Sequence, residues 1–92
     1  MPVIHIPSLM RDLTDGKAKV EIEGKTLRQV IKNLESQFPG TKDRLCDQED
    51  RINPGISVFI DGTVSRQGLY AKLHEATEIH FLPAVGGGVS NA

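Results

Sequence analysis

The chain has 92 residues, and its eleven Lys and Arg against twelve Asp and Glu give a formal net charge of −1. This length suits one domain with one modest core, and the lack of a basic excess argues against a nucleic-acid partner. With one cysteine, no apolar run longer than three residues and no secretory signal pattern, the chain is predicted to have no internal disulfide, no membrane span and a cytoplasmic location.

The N-terminal segments predict two strands. Val3–Pro7 is short and apolar, and Asp15–Gly16 is a dipeptide typical of turns. Lys17–Glu23 then alternates between polar and apolar residues, as half-buried strands do, so it is predicted to be the second arm of a hairpin. Its predicted inner face comprises Ala18, Val20 and Ile22.

Thr26 begins the one long helical pattern. Thr is a good N-cap residue, and Gln29 three positions later completes a capping-box pattern. Pro39–Gly40 stops the helix. Between these signals, apolar residues recur at helical spacing and form one stripe, which we expect to pack on the sheet. The stripe comprises Leu27, Val30, Ile31, Leu34 and Phe38.

The second half of the chain predicts three more strands and two short helical turns. Asp61–Gly62 is the strongest hairpin signal in the chain and joins the first two of these strands. The helical turns are predicted within residues 41–51 and 68–74. The predicted strands are Ile56–Ile60, Thr63–Arg66 and Glu78–Leu82.

This order of elements predicts an α+β fold of the ubiquitin-like β-grasp type. A mixed sheet of about four or five strands would carry one main helix across one face, with the first and last strands parallel neighbours near its middle. We expect residues 1–85 to form this domain. Residues 86–92 would form a flexible C-terminal tail, because three consecutive glycines place little steric restriction on the backbone.

The stretch from Phe81 to Gly88 resembles one protein family in particular. A strand followed by Leu82-Pro83-Ala84-Val85 and then Gly86-Gly87-Gly88 is similar to the ThiS/MoaD family of ubiquitin-like sulfur carriers. Within that family the chain is most similar to the CysO-like carriers of cysteine biosynthesis. The segments Ile6–Arg11, Thr14–Gly16 and Gly68–Leu69 contribute to the resemblance, but the tail is its specific part.

The resemblance implies a carrier without catalytic residues, metal or permanently bound cofactor. An E1-like adenylyltransferase and sulfurtransferase would use ATP to activate the carboxylate of Gly88, and sulfur would then replace AMP to give a thiocarboxylate. A cysteine-synthase-like or other acceptor enzyme would receive the sulfur. Gly87 and Gly88 would enter the narrow active site, while the preceding residues present them to the partners: Leu82, Pro83, Ala84, Val85 and Gly86.

Residues Val89–Ala92 extend beyond the last glycine. Some relatives in the family carry a similar extension, which a JAMM-type zinc metallopeptidase removes, so the resemblance implies the same processing here. Chain geometry supports this expectation, since Pro83–Gly88 reaches about 20 Å when extended, whereas four more residues move the carboxylate about 13 Å past Gly88. We therefore expect the unprocessed chain to be inactive.

A possible docking patch is predicted on the side of the sheet away from the helix. Alternation places Phe59 and His80 on that side, with Leu82 beside them, and an apolar patch there would suit an activating enzyme. Partial cover of Phe59 by residues 65–73 is an equal alternative. His5 and His80 can approach each other on adjacent strands, although neither they nor His74 show metal-ligand spacing.

Cys46 is predicted to be a packing residue rather than a nucleophile, because the neighbouring acidic residues would raise the pKa of its thiol. Three other functions remain open. The activated glycine could be conjugated to lysines of other proteins, the carrier could serve molybdopterin or thiamine synthesis, or the tail could be a flexible terminus of a passive adaptor. An independent enzyme is the weakest option, since no acid–base or nucleophile constellation is visible.

Overall fold

The computed structural model describes residues 1–83, and the strands in this part of the chain form one mixed sheet. One main helix packs on one face of the sheet, as the sequence predicted, and the fold is a β-grasp. The strands are β1 (Val3–His5), β2 (Lys19–Glu21), β3 (Ile56–Ile60), β4 (Thr63–Val64) and β5 (Glu78–Pro83). The helices are α1 (Leu27–Gln37) and α2 (Thr41–Leu45), with 3₁₀ turns at Ser8–Met10 and Gly68–Tyr70.

The sheet has the order β2-β1-β5-β3-β4, so the last strand lies at its centre. β5 runs parallel to β1 and antiparallel to β3, and the two outer pairs, β1–β2 and β3–β4, are antiparallel. The predicted parallel pairing of the first and last strands is therefore confirmed. Within residues 1–83, no helix is long and apolar enough to cross a membrane.

The core lies between the sheet and α1. The predicted helical stripe is buried from Leu27 to Leu34, while Phe38 at the helix end packs against the core with part of its ring exposed. Ile4, Ile79 and Phe81 supply the facing surface from the central strands. Removal of each of these side chains from water stabilises the folded state by about 1.5–3 kcal/mol. The sheet-facing stripe thus stabilises α1, as expected for a helix of this length.

α1 begins with a modified capping box. The Thr26 hydroxyl oxygen accepts the Gln29 N–H at 3.2 Å, as predicted. The Gln29 side chain, however, accepts the Lys25 N–H at 2.9 Å rather than that of Thr26. Thr26 forms an isolated bridge with Lys72. The segment around Lys72 therefore lies against the helix start and takes part in fixing its hydrogen bonds.

Three strands, β1, β2 and β4, are shorter than predicted, and β4 ends at Val64 rather than at Arg66. β1 includes neither Ile6 nor Pro7, because proline has no N–H for the ladder and its carbonyl starts the following 3₁₀ turn. β2 is an edge strand that starts only at Lys19, and Ala18 is exposed at the margin of the sheet. The prediction that Ala18 lies on the inner face is therefore wrong, whereas Ile22 is fully buried.

The Asp61–Gly62 hairpin turn is confirmed and also anchors the central strand. Both residues have positive φ, 51° and 85°, as a type I′ turn requires. The Asp61 carboxylate accepts the Glu78 N–H at 2.9 Å, and the Asp61 N–H donates to the Glu78 carbonyl at 2.9 Å. The turn between β3 and β4 therefore fixes the first residue of β5.

Gly24, just before α1, is required by a close approach of the backbone. A Cβ there would lie 2.7 Å from Cγ2 of Val30 and 2.8 Å from its backbone N, so the start of the helix would have to shift. We predict that Gly24→Ala lowers the free energy of unfolding by about 1–3 kcal/mol in urea titrations. Gly55→Ala is the control, because its Cβ would meet only ordinary contacts. Equal stability of the two variants would contradict this packing.

Candidate protein-docking site

The root of the predicted functional tail is held in the sheet. Leu82 pairs with Ser57 and Pro83 with Ile56, both on β3. The Leu82 side chain is 45% exposed although its backbone lies in the central strand. The rest of the predicted tail, Ala84, Val85, Gly86, Gly87 and Gly88, lies outside the described residues, as do Val89–Ala92. Residues 1–83 therefore define where the tail starts and which surface surrounds its root.

The face of the sheet opposite α1 carries an aromatic row. Phe59 and His80 are direct cross-strand partners, so the two residues of the predicted docking patch are neighbours on one face. The same register extends the row to both edges, and its members in order across the sheet are Lys19, His5, His80, Phe59 and Val64. We call this row together with Leu82 the open face. Val64 is 44% exposed, and the three aromatic rings are half-buried.

His5 and His80 stack at the centre of the open face. Their ring centroids are 3.8 Å apart and their planes differ by 8°. His5 Nε2 lies 2.8 Å from Oε1 of Glu78, two residues before His80 on the same strand. The predicted approach of the two histidines is confirmed. Glu78 was not predicted from the sequence as part of this face. The alternation of β5 that places His80 and Leu82 on the face also places Glu78 there.

The segment between β4 and β5 packs on the other side of the sheet. Leu69 and Ala71 are buried members of the core, and the Ala71 carbonyl accepts the Leu27 N–H at the start of α1. The apolar side chains of this segment therefore pack toward α1 rather than over Phe59.

One groove of the described surface lies beside the tail root, where Ile56, Ser57 and Val64 line it. Among residues 1–83, no group of three His, Cys, Asp or Glu side chains could hold a metal ion. Another open groove, of about 760 Å³, is lined by Pro2, Gly24, Leu73 and their neighbours. These residues flank the start of β5, and Pro83 is at its opposite end.

Cys46 is buried beneath the N-terminal half of α1. Burial raises the pKa of its thiol, and the nearby carboxylates of Asp50 and Asp47 raise the pKa further against the opposing effects of Lys42 and Arg28. A thiol that resists ionisation is a poor nucleophile at neutral pH. The arrangement agrees with the predicted packing role.

Comparison with known proteins gives a consistent family assignment. The model of the ThiS family matches residues 4–88. The sulfur carrier protein CysO of Mycobacterium tuberculosis is 29% identical over 89 residues, which cover 92% of this chain and 96% of that protein.

Solved structures agree with the fold. A chain of the Amycolatopsis orientalis BexX/CysO complex superimposes with a TM-score of 0.86 at 32% identity, covering 96% of this chain and all of that one. Mycobacterium tuberculosis CysO gives a TM-score of 0.87 at 27% identity over 92% of this chain and all of that one. The small archaeal modifier protein 1 of Methanosarcina acetivorans, 23% identical with a TM-score of 0.77 and 95% of each chain covered, shares the fold.

The raised pKa of the Cys46 thiol gives a testable prediction. Because only the thiolate reacts with iodoacetamide, the folded protein should be alkylated far more slowly at pH 8 than the same chain in urea. Among the neighbouring charges, the Asp50 carboxylate raises the thiol pKa most, and only burial has a larger effect. Asp50→Asn removes this charge, so it should lower the thiol pKa and speed alkylation of the folded protein. Equal rates for folded and unfolded wild type, measured by intact mass, would contradict the assignment.

Proposed function

This chain belongs to the ThiS family of ubiquitin-like sulfur carriers, and from that membership we propose that Gly88 carries sulfur as a C-terminal thiocarboxylate. The supporting observation is that the family match extends from β1 through the last of the three glycines. The folded body then acts as a handle that partner enzymes recognise, and the reactive carbon is the carbonyl of Gly88.

The proposed reaction requires a free carboxylate on Gly88. That carboxylate attacks the α-phosphorus of ATP, pyrophosphate leaves, and an acyl adenylate forms. Hydrosulfide, HS⁻, then attacks the acyl carbon, AMP leaves, and loss of the remaining proton gives the thiocarboxylate. Residues that follow Gly88 block the first step, so a peptidase must hydrolyse the bond after Gly88; a JAMM-type zinc enzyme is the proposed agent.

The geometry of β5 supports this use of the tail. Its backbone is held in the middle of the sheet as far as Pro83, so the tail starts from a fixed point. Six residues from Pro83 to Gly88 reach about 20 Å when extended, which is enough to enter a buried active site while the body stays outside. Glycines at the tip let the backbone pass through a channel too narrow for larger side chains.

The partners proposed for this carrier are based on its open face, its tail and the names of its relatives. An E1-like adenylyltransferase docks on the open face and takes up the tail beside it. Relatives from Mycobacterium tuberculosis and Amycolatopsis orientalis carry the name CysO, so we propose a cysteine-synthase-like enzyme as the sulfur acceptor. CysO of Amycolatopsis orientalis forms a complex with BexX, which supports the idea that carriers of this shape bind partner proteins. The carrier itself is a co-substrate, and ATP is bound by the activating enzyme.

The thiocarboxylate can be detected directly. A chain ending at Gly88, incubated with the E1-like enzyme of the source organism, ATP and a sulfur donor, should gain the mass difference between oxygen and sulfur. A chain that still carries Val89–Ala92 should gain nothing until the peptidase is added. A trimmed chain that supports no ATP–pyrophosphate exchange, or an intact chain that accepts sulfur, would contradict the proposal. High-mass adducts of the protein in cell lysate would instead indicate conjugation to other proteins.

The role of the open face can be tested at Leu82. Leu82→Asp places a charge at the exposed margin of the patch and should lower kcat/KM for adenylation about tenfold or more, as expected for an interface anchor. Folding should be little affected, because the side chain is 45% exposed. Tyr70→Asp is the matched control, since Tyr70 is 79% exposed in the 3₁₀ turn beside α1 and should leave adenylation unchanged. Equal effects of the two substitutions would exclude the open face as the docking surface.

A further inference from the structure

One end of the sheet brings together the start of the tail and the turn that follows β1. β1 and β5 are parallel, with His5 opposite His80, so both strands end on the same side of the molecule. Extending this register by two residues places Pro7 beside Leu82. Because neighbouring strands lie about 5 Å apart and two residues span at most about 7 Å, Leu9 lies within about 12 Å of Leu82. We call the group of Pro7, Leu9, Leu82 and Pro83 the apolar end.

Leu9 is the most exposed large apolar side chain of residues 1–83, with 82% of its surface accessible. A single exposed leucine is common on protein surfaces and has no meaning by itself. Leu9 is not isolated, however, because Leu82 and Pro83 are also exposed and Pro7 is only half-buried. Apolar surface is therefore grouped at the point where the tail leaves the sheet.

The turn that carries Leu9 is held by hydrogen bonds at every carbonyl from residue 6 to residue 10. Backbone N–H groups bond to three of these carbonyls. Arg11 Nε donates to the Ile6 carbonyl at 3.1 Å, and Arg44 Nη1 donates to that of Leu9 at 3.1 Å. The Met10 side chain is buried and fixes the turn from inside. The backbone beneath Leu9 is thus constrained, so binding of its side chain would cost little ordering entropy.

The length of the tail limits which partner can cover the apolar end. Pro83 to Gly88 reach about 20 Å when extended. An acyl adenylate must be protected from water, so the adenylating enzyme has to enclose Gly88. Enclosure uses most of the reach inside the enzyme, and the rim of its active site then lies against the residues from which the tail starts. A peptidase uses water as a reactant and needs no such enclosure. Of the proposed partners, the E1-like enzyme therefore requires this close approach.

We propose that Leu9 is an anchor for the E1-like enzyme and enters an apolar pocket at the rim of its adenylation site. This contact extends the docking surface from the open face around the end of the sheet. Leu9 takes no part in the chemistry at Gly88, so it would stabilise the bound ground state and the transition state equally. Its loss should then raise KM and leave kcat unchanged. This inference rests on the proposed function, because it assumes that an activating enzyme takes up the tail.

The experiment compares Leu9→Ala with a matched control in ATP–pyrophosphate exchange, using chains that all end at Gly88. Leu9→Ala should raise the KM for the carrier about tenfold, because the side chain no longer fills the pocket. Leu9→Met keeps an apolar side chain of similar volume and should retain most of the affinity. Tyr70→Ala is the control and should keep the wild-type KM, since Tyr70 is equally exposed in a 3₁₀ turn of the same length beside α1. Equal unfolding midpoints establish that each variant is folded.

The wild-type chain distinguishes this inference from the function on which it rests. If wild type ending at Gly88 is not adenylated, the sulfur-carrier proposal fails and this inference fails with it. If wild type is adenylated and Leu9→Ala has the same KM, only the role of Leu9 fails. A fall in kcat at unchanged KM, or an equal rise in KM for Tyr70→Ala, would overturn it as well. Self-association of wild type that Leu9→Ala abolishes, measured as mass in solution, would assign the apolar end to a second copy of the chain and contradict the proposed occupant.

Discussion

The parallel pairing of β1 with β5 is the interaction on which the rest of the structure depends. It joins residues near the start of the chain to residues beyond position 78, and the paired side chains of Ile4 and Ile79 are both fully buried beneath α1. Closing so long a loop is entropically unfavourable, and burial of the apolar face against the helix offsets that loss. Because β5 fills the gap between the two hairpins, its placement joins them into one sheet.

The same pairing gives the sheet two functionally different faces. Residues of β5 alternate, so Ile79 and Phe81 enter the core while Glu78, His80 and Leu82 lie on the open face. Asp61 accepts the backbone N–H of Glu78, and the Glu78 side chain contacts His5. These two contacts connect the hairpin turn to the aromatic row. The central strand therefore leads into the segment proposed to carry sulfur, beside the open face.

The described body contains little that could react by itself. Its one cysteine is buried with a raised thiol pKa, and its histidines form pairwise contacts with a carboxylate or with each other. This distribution fits a protein co-substrate, because the chemistry of a carrier belongs to the enzymes that bind it. Stability of the body and access to the tail are then the two properties that the fold has to provide.

Local patterns in the sequence determined most of the elements and one part of the site. The helical stripe from Leu27 to Leu34, the Thr26 cap and the Asp61–Gly62 turn depend on interactions between near neighbours, so spacing alone revealed them. The alternation of β3 and β5 likewise placed Phe59 and His80 away from the helix. The glycines of the tail and the Leu-Pro pair that leads into them were sufficient to indicate the family.

Only the tertiary structure decided how those elements meet. The exposure of Ala18 depends on β2 being an edge strand, and the bridge between Thr26 and Lys72 joins the start of α1 to a segment about 45 residues later in the chain. The stacking of His5 on His80 follows from the register of two strands about 75 residues apart. Registers between distant strands are set by the packing of the whole core, so no local pattern in the sequence could specify them.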